Sequence, residues 1–185
     1  MYRSIPNREL LNSEKYSKMF QKVGVSDFHE ACEYVWKPPY GRTSDRSNWD
    51  LVLSEGKGVC STKHALLKAL SNELGVDVDL VVGIYPMHEN NTPGVGSVLD
   101  EYGLGYIPEA HCYLRHNGSK IDLTRHGVQA EEEIAEFFTE KVIEPHGIGT
   151  EKQEYHRDYV RRKFGEIEFD RVWQAREECI SAIST

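Results

Sequence analysis

Residues 55–70 read Glu-Gly-Lys-Gly-Val-Cys-Ser-Thr-Lys-His-Ala-Leu-Leu-Lys-Ala-Leu, and this stretch decides the fold. Its two glycines predict a tight approach of the backbone. The apolar residues that follow Cys60 recur at helical spacing over a wide face, which is typical of a mostly buried helix. Gly75 stands where such a helix would end in a left-handed cap. The pattern therefore predicts a helix that begins at or near Cys60 and ends before Gly75.

The predicted position of Cys60, at or just before a helix N-terminus, bears on its chemistry. The N–H groups at that end of a helix carry partial positive charge, which lowers the pKa of a thiol and favours the nucleophilic thiolate. The alternative interpretation is that Cys60 is a small apolar core residue, since cysteines are often buried. This stretch alone leaves both interpretations open.

A second informative stretch is Ile107–Arg125, in which Asn117-Gly118 separates two segments with strand character. Asn-Gly is the strongest short signal for a two-residue hairpin with a type I′ turn. With these two residues as the loop, Leu114 faces Ile121 on the neighbouring strand. The sequence therefore predicts an antiparallel hairpin with a defined register.

The same register places two polar side chains on one face of the predicted hairpin. If the ladder continues, His111 faces Thr124, and Asp122 points to the same face as His111 because side chains alternate along a strand. The two would then be diagonal neighbours about 7 Å apart. The alternative is that His111 and Asp122 are ordinary polar residues on a solvated sheet face.

The ordered motifs between residues 50 and 125 resemble the core of the transglutaminase-like superfamily, a branch of the papain-like thiol enzymes. They are Gly58-Val59-Cys60 before an apolar helix, Leu74-Gly75 before a strand, Ala110-His111 on a strand, and Asp122-Leu123-Thr124 on the next strand. The resemblance implies that Cys60 is the nucleophile, His111 the base, and Asp122 the residue that orients the base.

The fold that this resemblance implies is α+β with a papain-like core. In it the cysteine-bearing helix packs on an antiparallel sheet, and extra N- and C-terminal helices cover the outside. The expected strands of the sheet are 77–85, 107–116 and 119–125.

Composition limits the class of protein. The chain has 185 residues, of which 39% are hydrophobic and 28% charged, so it is expected to form one soluble domain, 1–185. The expected core of this domain is at about 50–125, with helical extensions at 1–49 and 126–185. A net charge of −8 argues against nucleic-acid partners and anionic membranes. The N-terminus does not resemble a signal peptide, and the longest apolar run, Leu80–Tyr85, is too short to span a bilayer.

The four cysteines show neither the spacing of a metal site nor a secretory context; they are Cys32, Cys60, Cys112 and Cys179. We therefore predict reduced thiols in a cytoplasmic protein that needs no metal and no other cofactor. The sequence leaves the oligomeric state open.

The polar loop 40–49 precedes the Cys60 stretch and offers groups that a thiol hydrolase requires. The candidates for the second donor of an oxyanion hole, beside the cysteine N–H, are Tyr40, Asn48 and Trp49. Arg42 and Arg46 are candidates for binding a carboxylate of the substrate. For each of these residues the alternative is a role in a turn, in the core or in the solvated surface.

The remaining segments have simpler patterns. Helices are predicted at 8–24, at 27–36 with Asp27 and Glu30 as a capping box, at 129–141, at 150–164 and at 168–183. A strand is predicted at 76–85. The linker 86–106, rich in glycine and proline, is interpreted as a rim or lid of the cleft, or else as a mobile insertion.

The expected function is thiol-dependent acyl chemistry on a peptide or amide substrate. Hydrolysis of a peptide or isopeptide-type amide is the first choice, and transfer of the acyl group to an amine is the second, since both use the same acyl-enzyme. A non-catalytic binding domain that uses the same cleft is the alternative from another class. His64, four residues after Cys60 on the same helix face, is the strongest rival of His111 as the base.

Overall fold

The structure is a computed structural model that describes residues 2–127 and 134–183. Within these residues it contains seven α-helices and four β-strands. The helices are α1 Lys15–Gln21, α2 Phe28–Trp36, α3 Leu51–Glu55, α4 Cys60–Leu74, α5 Gly96–Glu101, α6 Thr150–Phe164 and α7 Glu166–Ala182. The strands are β1 Asp79–Met87, β2 Ile107–His116, β3 Ser119–Ile121 and β4 Thr139–Ile143. The prediction of an α+β fold with an antiparallel sheet is confirmed.

The sheet has the strand order β3-β2-β1-β4. The predicted hairpin is confirmed, because β2 and β3 pair antiparallel with Leu114 opposite Ile121. Asn117 and Gly118 both have positive φ, at 47° and 77°, as a type I′ turn requires. Glycine is suited to such a φ because it has no Cβ to clash with the backbone.

The predicted start and end of the cysteine helix are confirmed. Helix α4 begins at Cys60, and Gly75 ends it in the left-handed conformation at φ 62°. Its first half is buried on all sides, since every residue from Cys60 to Leu67 is buried. Just upstream, Gly58 pairs with Tyr40 in a parallel bridge, and a Cβ on Gly58 would lie 2.9 Å from the Lys63 side chain. Gly58 therefore permits the close approach that the sequence predicts.

The prediction that the second hairpin strand extends to Arg125 is wrong, because β3 ends at Ile121. Asp122 Oδ1 accepts hydrogen bonds from the backbone N–H and the hydroxyl of Thr124, at 3.0 and 2.6 Å. This local turn competes with ladder pairing, as aspartate side chains commonly do. The ladder therefore does not carry the predicted register as far as Asp122.

The helix predicted at 129–141 is wrong over the part that the structure describes. Residues 128–133 lie outside the described chain, 134–138 have no regular structure, and β4 follows. The Phe138 N–H donates to the carbonyl of Ile84 at 2.7 Å, so this segment pairs with the edge of β1. The Phe137 ring lies directly against Gly83, where a Cβ would not fit. Tertiary pairing and packing thus override the helical spacing of the apolar residues.

Two helix and strand positions and the structure of the linker 86–106 also differ from the predictions. Helix α1 begins at Lys15, not at residue 8, and β1 is displaced by two to three residues from the predicted 76–85. The linker 86–106 is not a structureless segment, because it contains α5 and buries Leu99. The Glu89 carboxylate holds this linker together by accepting from the N–H groups of Gly94 and Gly96.

The chain divides into two compact units that are interleaved along the sequence. The first contains residues 1–82, 112–126 and 141–149, and the second contains 83–111, 127–140 and 150–185. In the first unit, α4 packs against α1, α2, α3 and a 3₁₀ turn at Pro145–Ile148. In the second, α7 packs against α5 and α6 around an apolar core. Over the described residues, none of the helices has the length and apolar character that crossing a bilayer requires.

Candidate active site

Cys60 is the first residue of α4 and is 7% exposed. The turn that it begins is fixed by Thr62, whose hydroxyl oxygen accepts from the backbone N–H of Val59 at 3.1 Å. The N-terminal N–H groups of a helix of 15 residues favour a thiolate over a thiol at this position. Cys60 is therefore largely buried and lies at the end of a helix that stabilises a thiolate.

Lys63 adds a positive charge to the same helical turn. Its side chain is fully buried, and its ammonium donates to the carbonyl oxygens of Pro38, Thr124 and Trp36 at 2.7, 2.9 and 3.4 Å. Three acceptors match the three N–H donors of an ammonium group. Burial lowers the pKa of Lys63 to about 8, while the Asp122 carboxylate acts in the opposite direction. Lys63 therefore stays mostly protonated at neutral pH.

His64 has both ring nitrogens bonded to the backbone. Nδ1 lies 2.8 Å from the carbonyl oxygen of Cys60, and Nε2 lies 2.8 Å from the backbone nitrogen of Leu123. A carbonyl only accepts and a backbone N–H only donates, so Nδ1 carries the hydrogen and Nε2 accepts. The ring is neutral in this arrangement, and its basic nitrogen is occupied. This geometry favours a structural role for His64 that ties α4 to the segment after β3.

Asp122 is oriented by its own turn. The Oδ1 atom that Thr124 holds lies 3.9 Å from His64 Nε2, which is beyond hydrogen-bonding distance. The side chain of Asp122 is 24% exposed. Its carboxylate is thus fixed in direction close to the first two turns of α4 while part of it remains accessible.

His111 lies on β2 in the second compact unit and is 8% exposed. The ring of Tyr85 meets it edge to face, with centroids 6.1 Å apart, and the Tyr85 hydroxyl lies 3.4 Å from the Thr92 hydroxyl. Nearly all of β2 is buried. The alternative of an ordinary polar residue on a solvated sheet face is therefore wrong for His111.

An ion pair anchors the part of β2 that precedes His111. Glu109 accepts from Nε and Nη2 of Arg176, a residue of α7, at 2.6 and 2.8 Å. Burial acts to raise the pKa of Glu109, but the Arg176 guanidinium, with smaller contributions from His156 and Lys152, holds the pKa below its usual value. His156 donates from Nε2 to the carbonyl of Pro108 at 2.7 Å, and burial lowers the pKa of its ring. These contacts fix the backbone two and three residues before His111.

Comparison of this chain with protein-family models, with curated proteins and with solved structures finds no match. Over the described residues, there is no cluster of three or more histidine, cysteine, aspartate or glutamate side chains that could hold a metal ion.

The three candidates for the second oxyanion donor differ in their contacts. Trp49 donates its indole N–H to the hydroxyl of Tyr16 at 3.0 Å. The side-chain carbonyl of Asn48 accepts from the N–H of Asp50 at 3.1 Å, which is a local turn contact. Tyr40 has the backbone bridge to Gly58, two residues before Cys60. Of the three, Tyr40 is the residue for which a described contact leads to the segment directly before Cys60.

The two arginines predicted to bind a carboxylate, Arg42 and Arg46, are exposed. A third arginine, which the sequence did not single out, has a defined environment: the Arg125 guanidinium lies over the Tyr40 ring at 4.9 Å from its centroid. Its place directly after the Asp122-Leu123-Thr124 motif was the signal that could have identified it.

Proposed function

We propose that this protein is a thiol-dependent acyl hydrolase of the transglutaminase-like, papain-like type. In the proposal Cys60 is the nucleophile, His111 is the general base, and Asp122 orients the imidazole. The observation that carries it is Cys60 at the start of α4, with the amino group of Lys63, from the same turn, held by three carbonyl oxygens. Both features favour a thiolate. The bonding of His64 to the backbone supports the choice of His111 over that rival base.

In the proposed reaction the Cys60 sulfur attacks the carbonyl carbon of a peptide or isopeptide-type amide. A carbon–sulfur bond forms, and the carbon–nitrogen bond breaks as the imidazolium of His111 gives its proton to the departing amine. Water then attacks the thioester while His111 accepts its proton. The carbon–sulfur bond breaks, a carboxylic acid leaves, and Cys60 returns as the thiolate.

The tetrahedral intermediates of both steps carry a negatively charged oxygen that requires donors. We propose the backbone N–H of Cys60 as one donor, since the first N–H groups of a helix point along its axis. The Tyr40 hydroxyl is the proposed second donor, supported by the bridge between Tyr40 and Gly58. An amine in place of water would resolve the same acyl-enzyme by transfer.

An activated ester tests whether Cys60 performs acyl chemistry. We expect that p-nitrophenyl acetate releases a burst of p-nitrophenol and that intact-mass spectrometry detects one acetyl group, mapped to Cys60, which is then lost to water. The variant Cys60→Ala should show neither signal. Cys32 and Cys179 should stay unmodified, because burial raises the pKa of both thiols, that of Cys179 to about 11.

Two outcomes of this experiment would overturn the proposal. One is an acetyl group that maps first to another cysteine in the folded protein. The other is a burst of equal size in Cys60→Ala. Unfolding in denaturant provides the control, since all four thiols should then react at similar rates.

A further inference from the structure

We propose that Arg125 is a specificity residue that binds a carboxylate of the acyl donor, so that the substrate is an anionic peptide or amide. This inference rests on the proposed function of Cys60. It names the chemical class of the substrate, which the nucleophile alone leaves open. It also assigns to Arg125 the carboxylate-binding role that the sequence suggests for Arg42 and Arg46.

The segment that carries Arg125 is tied to the start of α4 by two buried hydrogen bonds. The backbone N–H of Leu123 donates to His64, and the carbonyl of Thr124 accepts from Lys63. His64 is in turn bonded to the carbonyl of Cys60 itself. Arg125 is the next residue in this segment, so its backbone is held beside the first two turns of the helix that the nucleophile begins.

Two aromatic residues contact Arg125, one at its backbone carbonyl and one at its guanidinium. Its carbonyl accepts from the indole N–H of Trp36 at 2.8 Å, and its guanidinium lies over the Tyr40 ring, 4.9 Å from the ring centroid. Tyr40 pairs with Gly58, two residues before Cys60, so two independent chains of contacts connect Arg125 to the nucleophile. A guanidinium stacked on an aromatic ring keeps its in-plane N–H donors available for a planar, bidentate partner such as a carboxylate.

The charge of Arg125 is not neutralised within the described part of the chain. Over residues 2–127 and 134–183, no carboxylate oxygen lies within 4.0 Å of its guanidinium, and its side chain is half-buried. The sequence has 30 acidic residues against 22 lysines and arginines, so acidic partners are abundant. The backbone of Arg125 is fixed, its guanidinium lies over an aromatic ring, and the described residues place no acidic partner beside it. Such a half-buried arginine is suited to an anionic ligand.

A pair of alkylating reagents that differ in charge tests this inference without a known substrate. Iodoacetate is an anion, and iodoacetamide is its neutral analogue; both alkylate the same thiol. We expect Arg125→Gln to lower the rate of Cys60 alkylation by iodoacetate about tenfold, as the loss of one charge-assisted contact would. The rate with iodoacetamide should change by less than about twofold, because that reagent has no carboxylate to bind.

Two further variants make the result specific. Arg8→Gln removes the same charge from an exposed position and should leave both rates unchanged. Arg125→Lys keeps the charge but loses the bidentate geometry, so it should lower the iodoacetate rate only a few-fold. High salt should lower the ratio of the iodoacetate rate to the iodoacetamide rate more in the wild type than in Arg125→Gln.

The possible results separate this inference from the proposed function. If Cys60 reacts first with both reagents but Arg125→Gln leaves the iodoacetate-to-iodoacetamide ratio unchanged, the role of Arg125 is overturned and the role of Cys60 stands. A ratio that falls equally in Arg8→Gln also overturns it, since net charge then explains the effect. If Cys60 is not the first cysteine to react, the proposed function fails, and the specificity role fails with it.

Discussion

Replacement of Arg176 by methionine is expected to lower the free energy of unfolding by about 3 to 5 kcal/mol at neutral pH, the typical cost of removing one partner of a buried ion pair. The pair between Arg176 and Glu109 is bidentate, and the two side chains are only 15% and 8% exposed. Without the guanidinium the Glu109 carboxylate remains buried and charged. Chemical denaturation followed by circular dichroism measures the difference.

Two controls identify the buried charge as the cause. Arg162→Met, at an exposed position on α6, should change the free energy of unfolding by less than about 0.5 kcal/mol. The double variant Glu109→Leu with Arg176→Met should recover most of the loss, because an apolar pair leaves no buried charge. If Arg176→Met lowers the free energy of unfolding by less than about 1 kcal/mol, the result would contradict the stabilising role of this buried ion pair.

The ion pair between Arg176 and Glu109 also predicts how the stability difference between the wild type and Arg176→Met changes with pH. In the wild type the pKa of Glu109 is lower in the folded state than its unfolded-state value of about 4.5, so the charged carboxylate contributes to the free energy of unfolding. This contribution is complete above pH 4.5 and is lost as the pH falls through the folded-state pKa. In Arg176→Met the pKa of Glu109 should instead be raised by burial, and protonation then relieves the penalty. The stability difference between the two proteins should therefore narrow as the pH falls from 7 toward about 5.

His64→Ala is expected to lower the free energy of unfolding by about 2 to 4 kcal/mol, measured by the same denaturation. The substitution removes a fully buried ring and leaves a cavity, and it leaves the buried N–H of Leu123 without its acceptor. Among molecules that remain folded, the alkylation rate of Cys60 should change only a few-fold. A structural histidine thus affects stability more than thiol reactivity.

The exposed His146 provides the matched control for this variant, and His146→Ala should change stability by less than about 0.5 kcal/mol. The opposite pattern for His64→Ala would contradict its structural role. In that pattern the protein keeps its stability, and Cys60 loses its reactivity at neutral pH.

The sequence predicted those features that local chemistry determines. The start of α4 at Cys60, its end at Gly75 and the register of the Asn117-Gly118 hairpin each follow from backbone preferences of a few residues. The Asp27 cap that accepts from the N–H of Glu30 belongs to the same group. Such signals need no knowledge of distant parts of the chain.

Features that depend on distant contacts were missed. Ile134, Phe137 and Phe138 have the apolar spacing of a helix, but they lie in an irregular segment before the strand Thr139–Ile143, and pairing with the edge of β1 decides this. The turn at Asp122 ends β3 early because a side chain competes with the ladder, a balance that a period-two pattern does not include.

The candidate site shows the same division. Cys60 was chosen as a candidate from its predicted helix start, and His111 and Asp122 were chosen from short motifs; only the helix start is confirmed. The role of Lys63 was not predicted, because a buried lysine is identified by its carbonyl acceptors, which lie 25 to 61 residues away in the sequence. The position of Arg125 directly after the Asp122-Leu123-Thr124 motif was a local signal, but its contact with the Tyr40 ring comes from another part of the chain and was not predicted.

The pairing of Cys60 with His111 is the central claim, and the pH dependence of Cys60 alkylation by iodoacetamide tests it most directly. The wild type should react rapidly already near pH 6 to 7, well below the ordinary thiol pKa of about 8.5. In His111→Ala, and in His111→Gln, which keeps more of the side-chain volume, the inflection should move up toward that ordinary value while circular dichroism stays native. Profiles of the folded variants that superimpose on the wild type would contradict the claim.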